Sequence, residues 1–162
     1  MPTQAELGWL AAMIDGDGSV TMSIAFDKRR GYTWYVPHVA VANTDPAIVA
    51  EVTRLLDAIG CRYHASVSNV RKGHFGKKDC WQIVVHHFQS IVVLLTQVAP
   101  YMKSVKGAKA ELMLRWLAMR IPKRQRGANS KRAYTENEHR LAMEVRTFMP
   151  APRVDSEGVR PK

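Results

Sequence analysis

The sequence has few cysteines, few acidic residues and no long apolar run. Two cysteines in 162 residues are too few for a disulfide framework, so we expect an intracellular protein in a reducing environment. No segment approaches the roughly 18 consecutive apolar residues that cross a bilayer. The first residues, MPTQAELGWL, carry no basic region ahead of an apolar stretch. We therefore expect no membrane partner and no secretory signal.

The shortage of acids makes the chain basic. Lys and Arg number 24 against 14 Asp and Glu, a formal net charge of +10. This excess favours a polyanionic partner, nucleic acid before an anionic membrane surface. Hydrophobic residues make up 46% of the sequence, enough for the core of one domain of this length. We expect a single domain over residues 1–149 and a disordered tail over 150–162.

Hydrophobic periodicity predicts an α+β fold. Thr3 and Glu6 have the spacing of a capping box that opens a first helix, and this helix should end at Gly16 or Gly18. Alternation from residue 19 to 42 around a turn at 28–31 predicts a long β-hairpin. The order that follows from the whole chain is α-ββ-α-ββ-α, then further helices.

The rest of that order depends on caps and turns. Asp45 and Pro46 cap a helix that runs through Ile59, and a second hairpin joins residues 63–70 to 79–85. Later helices are predicted at 88–98, at 108–120 and, from the capping box that starts at Thr135, through Phe148. Two basic segments remain, a hairpin tip at 71–78 and a loop at 123–132.

The stretch LGWLAAMIDGDGSV is the most informative motif. An apolar helix ends there on Asp15 and Asp17, although the partial negative charge at a helix C-terminus disfavours carboxylates unless a cation compensates them. A divalent metal would be such a cation. Gly8 and Ala12 lie on one face of the same helix and leave room for close approach of another backbone.

Two other metal sites are less consistent with the sequence. Val20 stands where a calcium loop requires glycine, and the loop's final glutamate is absent. The possible zinc ligands lack paired C-x-x-C spacing and are better explained as strand residues. They are Cys61, His64, Cys80, His86 and His87.

The motif and the element order resemble those of the LAGLIDADG homing endonucleases. The resemblance covers residues 4–120 and departs from the family at Ala12, where glycine is frequent. A single motif implies the homodimeric branch, in which two motif helices pack at a two-fold axis. The resemblance assigns that dimer interface to Gly8, Ala11, Ala12 and Asp15.

The same resemblance implies an active site. Asp17 and the carbonyl of Gly16 would bind Mg²⁺, with Mn²⁺ or Ca²⁺ as substitutes for binding. Asn43, or its neighbour Thr44, and Lys106, or Lys103, would order active-site water. The family's basic residue early in the second helix is missing, since Ala47 and Ile48 stand there. Its contribution is absent or comes from another residue, for which Arg54 is a candidate.

The strands are expected to read DNA, because a β-ribbon fits the major groove. Two alternate sets of third-strand residues remain possible for the face toward DNA. One set is Ala65, Val67 and Asn69, and the other is His64, Ser66 and Ser68. A register error of one residue would turn every side chain to the opposite face. Strand parity places Val36 and Cys80, along with other positions, on the face toward DNA. Basic residues at the hairpin tips and in the loop should bind phosphate. The DNA-binding candidates are Ser23, Ala25, Asp27, Arg29, Arg30, Trp34, His38, Arg71, Lys72, Lys77, Lys78, Gln82, Lys123, Arg124 and Arg126.

The resemblance, with the basic net charge, implies a metal-dependent, site-specific endonuclease. By the same resemblance it would act as a homodimer on a long, nearly palindromic double-stranded DNA site and leave short 3′ overhangs. No small-molecule substrate is expected. A free-standing or intron-encoded homing endonuclease is expected. A relative that binds DNA or RNA without cutting, such as a maturase or a regulator, is the alternative. A basic interaction module would leave the DGDG motif unexplained.

Overall fold

A computed structural model describes residues 1–29, 31–68, 79–125 and 134–148. Its elements confirm the predicted order, with α4 and α5 following the α-ββ-α-ββ-α unit, and a 3₁₀ turn at Ala99–Tyr101 precedes α4. The predicted disordered tail and the tip of the second hairpin lie outside the described residues. The elements are α1 (Gln4–Asp17), β1 (Gly18–Asp27), β2 (Tyr32–Asn43), α2 (Pro46–Ala58), β3 (His64–Ser68), β4 (Cys80–Val85), α3 (Phe88–Val98), α4 (Val105–Gln125) and α5 (Glu136–Thr147).

The four strands form one antiparallel sheet in the order β1-β2-β4-β3. Val20 and Met22 of β1, Val39 of β2, and Ile83 and Val85 of β4 are buried on one face. They pack in one core with helix residues, as expected for helices segregated to one side of an antiparallel sheet. The helix side chains in this core include Leu10, Ile14, Leu55, Ile91, Leu94, Leu95, Met113, Trp116 and Leu117.

The predicted caps form as hydrogen bonds. Thr3 and Glu6 make a reciprocal capping box at the start of α1, and Thr135 with Glu138 makes another at α5. The Asp45 carboxylate accepts the Ala47 N–H at the start of α2. These local signals therefore set helix starts as the sequence predicted.

Helix α4 is longer than the sequence indicates. It begins at Val105 and runs to Gln125 with Pro122 inside it, whereas hydrophobic periodicity predicted 108–120. Lys123 and Arg124 consequently belong to the last turn of α4 and not to a loop. Among the described helices, none combines the length and apolar character needed to cross a bilayer.

The C-terminal helix docks on the sheet through an aromatic cluster. Tyr134 accepts the backbone N–H of Tyr35 at 3.1 Å, and the Tyr35 hydroxyl lies 2.7 Å from Nδ1 of His139. The Trp116 indole N–H donates to the Glu138 carbonyl at 3.1 Å. Beneath them Glu138 and Arg120 form a buried ion pair. Sequence periodicity found α5 but not this cluster.

Candidate functional site

The C-terminus of α1 is pressed against β2. Gly18 follows the helix in an extended conformation, and a Cβ at this position would lie 2.6 Å from the Ala40 carbonyl oxygen and 2.8 Å from Ile14 Cα. Those distances are too short for any side chain, so glycine is required here for close approach. The contact fixes the end of α1 beside the sheet.

Asp17 and Asn43 meet at this helix end. The side-chain amide of Asn43 donates to Asp17 Oδ2 at 2.8 Å, while Asn43 Oδ1 accepts the backbone N–H of Asp45 at 2.8 Å. Asn43 therefore connects the last residue of α1 to the turn that opens α2. The Asp17 side chain is exposed, and its Oδ1 has no hydrogen bond within the described part of the chain.

Lys106 supplies a cation at the same place. Its Nζ donates to the carbonyl of Asp15 at 2.6 Å and of Ile14 at 3.1 Å, and lies 3.4 Å from the Gly16 carbonyl. A positive charge over the last carbonyls of a helix is favourable. Lys106 of α4 thus supplies, from within this chain, the positive charge that the sequence predicts at this helix end.

Asp15 makes the reciprocal contact, because its side chain lies on α1 and binds the segment that begins α4. Its carboxylate accepts the backbone N–H groups of Lys103 and Ser104 and the Ser104 hydroxyl, at 2.6, 3.0 and 2.7 Å. Partial burial acts to raise the pKa of Asp15, but the hydrogen bonds from Ser104 and Lys103 and the charge of Lys106 outweigh it, so the pKa is lowered. The Asp15 carboxylate is therefore held ionised.

The oxygen donors at the helix end suit a hard cation but are too few to complete its coordination within the described residues. The free Oδ1 of Asp17 and the Gly16 carbonyl are ligands of the type that Mg²⁺ and Ca²⁺ prefer. No group of three or more His, Cys, Asp or Glu side chains that could hold a metal occurs in residues 1–29, 31–68, 79–125 and 134–148. Further ligands would have to come from a substrate, solvent or a second copy.

Within the described residues, the rival residues Thr44 and Lys103 make no side-chain hydrogen bond to this cluster. Thr44 is exposed and makes no side-chain hydrogen bond within the described residues, and Lys103 contributes its backbone N–H. Arg54 pairs instead with Glu6 and Glu51, near the start of α1. Because the 14 residues of α1 span about 20 Å, Arg54 does not replace the missing basic residue at the Asp17 end.

The proposed interface residues of α1 divide into two groups. Ala12 is exposed and Gly8 half-buried, with a Cβ at Gly8 falling 4.0 Å from Tyr101. Ala11, expected at the interface, is 0% exposed in the core, so its side chain offers no surface to a partner. The Asp15 carboxylate is engaged within the subunit, as described above.

The sheet face opposite the helices carries the residues selected by strand parity. Direct pairs Ser23 with Val36, Ala25 with Trp34, and Ala42 with Gln82 put those side chains on one face. The register used for the strands is thereby confirmed. It also resolves the third strand, since His64, Ser66 and Ser68 pair with Val84, Gln82 and Cys80 and so share that face.

Only some of the basic residues predicted to bind DNA phosphates lie in the described part of the chain. Arg29 is exposed in the β1–β2 turn, and Asp27 ends β1. Lys123 and Arg124 lie in α4. The remaining predicted phosphate contacts, Arg30, Arg71, Lys72, Lys77, Lys78 and Arg126, lie outside the described residues.

Sequence reasoning missed Ser104. Its hydroxyl donates to Asp15 and accepts the backbone N–H of Lys106 at 3.1 Å. A serine directly before Val105 is a recognisable N-cap signal, and it would have moved the predicted start of α4 to the observed one. Its contact with Asp15, 89 positions away, has no local signal.

No protein-family model matches the chain, and no curated protein is significantly similar to it in sequence. Solved structures do share its architecture. The homing endonuclease I-CvuI, in complex with its target in the presence of 2 mM Ca, has a TM-score of 0.61 at 19% identity over 88% of this chain and 80% of that one. A second I-CvuI complex, with 2 mM Mg and DNA not cleaved, gives 0.55 at 17% identity over 88% and 95%.

Two further structures agree. The archaeal intron-encoded homing endonuclease I-Vdi141I, complexed with DNA, has a TM-score of 0.62 at 16% identity, covering 87% of this chain and 82% of that one. The LAGLIDADG homing endonuclease I-GzeII, in complex with its DNA target, gives 0.58 at 14% identity over 88% of this chain but 44% of that one. At such identities the likeness concerns the fold, and the chain has the fold of the LAGLIDADG homing endonucleases.

Proposed function

We propose that this protein is a metal-dependent, site-specific endonuclease that cuts double-stranded DNA as a homodimer. The observation that carries the proposal is the convergence of Asp17, Asn43 and Lys106 on the C-terminus of α1. The LAGLIDADG resemblance gave these residues the roles of metal ligand and water-ordering groups. They come from three separate elements, so their meeting is not a consequence of local sequence.

Each residue has a distinct contribution in this proposal. Asp17 Oδ1 and the Gly16 carbonyl would hold a divalent cation, which would supply charge neutralisation and an activated water for phosphodiester hydrolysis. Asn43 holds the Asp17 carboxylate in one orientation through its 2.8 Å hydrogen bond. Lys106 adds positive charge where a scissile phosphate would approach.

A dimer follows from the incomplete donor set. One subunit offers a single carboxylate at the helix end, whereas cutting both strands requires two sites. The exposed Ala12 and the half-buried Gly8 leave one face of α1 without bulky side chains, which permits two such helices to pack closely. I-GzeII supports this view, because this chain spans 44% of its length, as expected when one polypeptide holds two copies of the unit.

Substrate binding is assigned to the open sheet face and the net charge of +10. The exposed Ser23, Gln82, His64 and Ser66 provide hydrogen-bonding groups at alternate strand positions, the arrangement needed to contact base edges in the major groove. I-CvuI, I-Vdi141I and I-GzeII are each complexed with DNA. A two-fold dimer would recognise a nearly palindromic site.

The decisive experiment separates binding from cleavage. Duplexes bound by the wild-type protein in chelator are selected from a randomised library, and the enriched duplex is then incubated with Mg²⁺ or with chelator. Magnesium-dependent cuts in both strands, with short 3′ overhangs at the centre of a nearly palindromic sequence, are expected. Enrichment without cleavage in either condition would identify a non-cutting DNA-binding protein and overturn the nuclease proposal.

Asp17→Asn provides the internal test. The substitution keeps the volume and an acceptor for Asn43 but removes the charge that binds metal, so cleavage should fall by at least about 100-fold. Selection of the same duplex in chelator should be unchanged. Asp57→Asn, which alters the exposed carboxylate of another helix, is the matched control and should cut normally.

A further inference from the structure

Two chain segments are joined reciprocally at the α1–α4 junction. The Asp15 side chain of α1 binds backbone groups at the start of α4, and the Lys106 side chain of α4 binds backbone carbonyls at the end of α1. We define this set of contacts, made by Asp15, Ser104 and Lys106, as the clasp. It lies immediately before the proposed metal ligands.

Ser104 occupies the centre of the clasp. Its hydroxyl donates to Asp15 Oδ1 at 2.7 Å, and the same oxygen accepts the Lys106 backbone N–H at 3.1 Å. Through these two hydrogen bonds, the Ser104 side chain connects the first turn of α4 to Asp15 in the last turn of α1. Because Lys106 is in that first turn, the position of its ammonium group depends on this connection.

We infer that Asp15 and Ser104 are positioning residues that hold the Lys106 ammonium group at the carbonyl end of α1, next to Gly16 and Asp17. The inference rests on the proposed function for its catalytic consequence. A four-carbon side chain such as lysine has many rotamers in water, whereas here its ammonium group reaches three successive carbonyls. The fixed backbone of α4 makes that single placement possible.

The geometry distinguishes this role from simple helix capping. A cap at α4 needs only one acceptor for the Lys106 N–H, which the Ser104 oxygen supplies alone. Asp15 adds three further hydrogen bonds whose donors all belong to the segment before Lys106. Both Asp15 and Ser104 stand close to the proposed ligands without providing a ligand atom.

The first test measures the ammonium group directly. In a ¹H–¹⁵N spectrum of lysine ammonium groups, Lys106 of the full-length protein should give a slowly exchanging signal, because its protons are hydrogen-bonded to carbonyls. Loss of that signal in Lys106→Arg assigns it. Ser104→Ala should remove or broaden the signal, and Ser104→Thr, which keeps the hydroxyl on an exposed position, should retain it.

Two further variants distinguish loss of the Lys106 contact from a general loss of structure. Asp15→Asn keeps the volume but removes the charge and one acceptor, so it should also broaden the Lys106 signal. Thr96→Ala deletes an exposed hydroxyl on α3 and should leave the signal unchanged. An unaltered Lys106 signal in both Ser104→Ala and Asp15→Asn would overturn the inference.

The second test uses cleavage of the selected duplex. Ser104→Ala should lower kcat about tenfold, as removal of a supporting hydrogen bond near a metal site commonly does, while the KM for DNA stays the same. Ser104→Thr should restore kcat. Full kcat in Ser104→Ala would overturn the positioning role, whereas absence of cleavage by the wild type would refute the proposed function and leave the ammonium signal to decide the inference.

Discussion

The side-chain amide of Asn43 lies 2.8 Å from Asp17 Oδ2, although the two residues are 26 positions apart and belong to a strand and a helix. The same Asn43 side chain accepts the Asp45 N–H. It therefore orients the carboxylate of α1 from the end of β2. This contact links the sheet framework to the proposed chemistry.

Replacing Asn43 should impair cleavage more than DNA binding. Asn43→Ala deletes the donor to Asp17, so we expect a loss of about 10- to 100-fold in the cleavage rate with unchanged affinity for the selected duplex in chelator. Thr44→Ala, at the adjacent exposed position, should cut at the wild-type rate. Equal losses in both variants, measured by single-turnover cleavage, would contradict the assignment of Asn43 over Thr44.

The two glycines that flank Asp17 should respond oppositely to alanine. A Cβ at Gly18 would lie under 3 Å from backbone atoms of Ile14 and Ala40, whereas nothing lies within 4 Å of one at Gly16. Gly18→Ala should lower the free energy of unfolding by about 2 kcal/mol or more. Gly16→Ala should be neutral or stabilising by about 0.5–1 kcal/mol, since alanine favours the helix. Urea unfolding of both variants is the measurement, and equal stabilities would show that the close approach at Gly18 is absent.

Enlarging Ala12 should split the dimer without unfolding the subunit. Ala12 is exposed in the subunit, so leucine fits there, but it would separate two helices packed at this face. Analytical ultracentrifugation of Ala12→Leu should show a folded monomer where the wild type is a dimer. Ala118→Leu, an equivalent change on the exposed face of α4, should remain dimeric. A stable Ala12→Leu dimer would place the interface elsewhere.

Acid stability should depend on Glu6. The Thr3 backbone N–H, and then the Arg54 guanidinium, lower the pKa of Glu6 from 4.5 to about 2. The unfolded chain therefore binds more protons than the native chain between these values, and Glu6 contributes stability above about pH 4.5 that is lost as the pH falls toward 2.

Glu6→Gln removes this contribution. The variant should be less stable than wild type at pH 6, and the difference in the free energy of unfolding should narrow as the pH approaches 3. Glu111→Gln, at an exposed position of α4, serves as the matched control. A constant difference between Glu6→Gln and wild type across this pH range, measured by urea unfolding, would contradict the role of Glu6.

Local signals predicted most elements because their causes are local. The two capping boxes and the Asp45–Pro46 start of α2 depend on residues within one helical turn. Alternation in β1 and β2 predicted the face on which Ser23 and Trp34 lie, because the side-chain period of a strand is two. The start of α4 also has a local signal, the N-cap Ser104, whereas the contact of Ser104 with Asp15 depends on the packing of α4 beside α1.

The candidate site was predicted by resemblance, and the resemblance left choices open. Asn43 and Thr44 are equally near the start of α2 in sequence, and only the fold brings Asn43 to Asp17. In β3 two alternate sets of residues fit the sequence, and pairing with β4 selected His64, Ser66 and Ser68 for the open face. The sequence does not distinguish Ala11 from Ala12 as an interface residue, but in the structure Ala11 is buried in the core and Ala12 is exposed.

The sequence by itself determined the helix caps and the strand alternation, because each depends on backbone sterics and on hydrogen bonds between near neighbours. The tertiary structure alone decided which cation neutralises the C-terminus of α1 and which carboxylate stays free for a ligand. Lys106 and Asp15 are about 90 residues apart, and only the packing of α4 beside α1 brings the Lys106 ammonium group to the Asp15 carbonyl and the Asp15 carboxylate to the backbone N–H groups of Lys103 and Ser104.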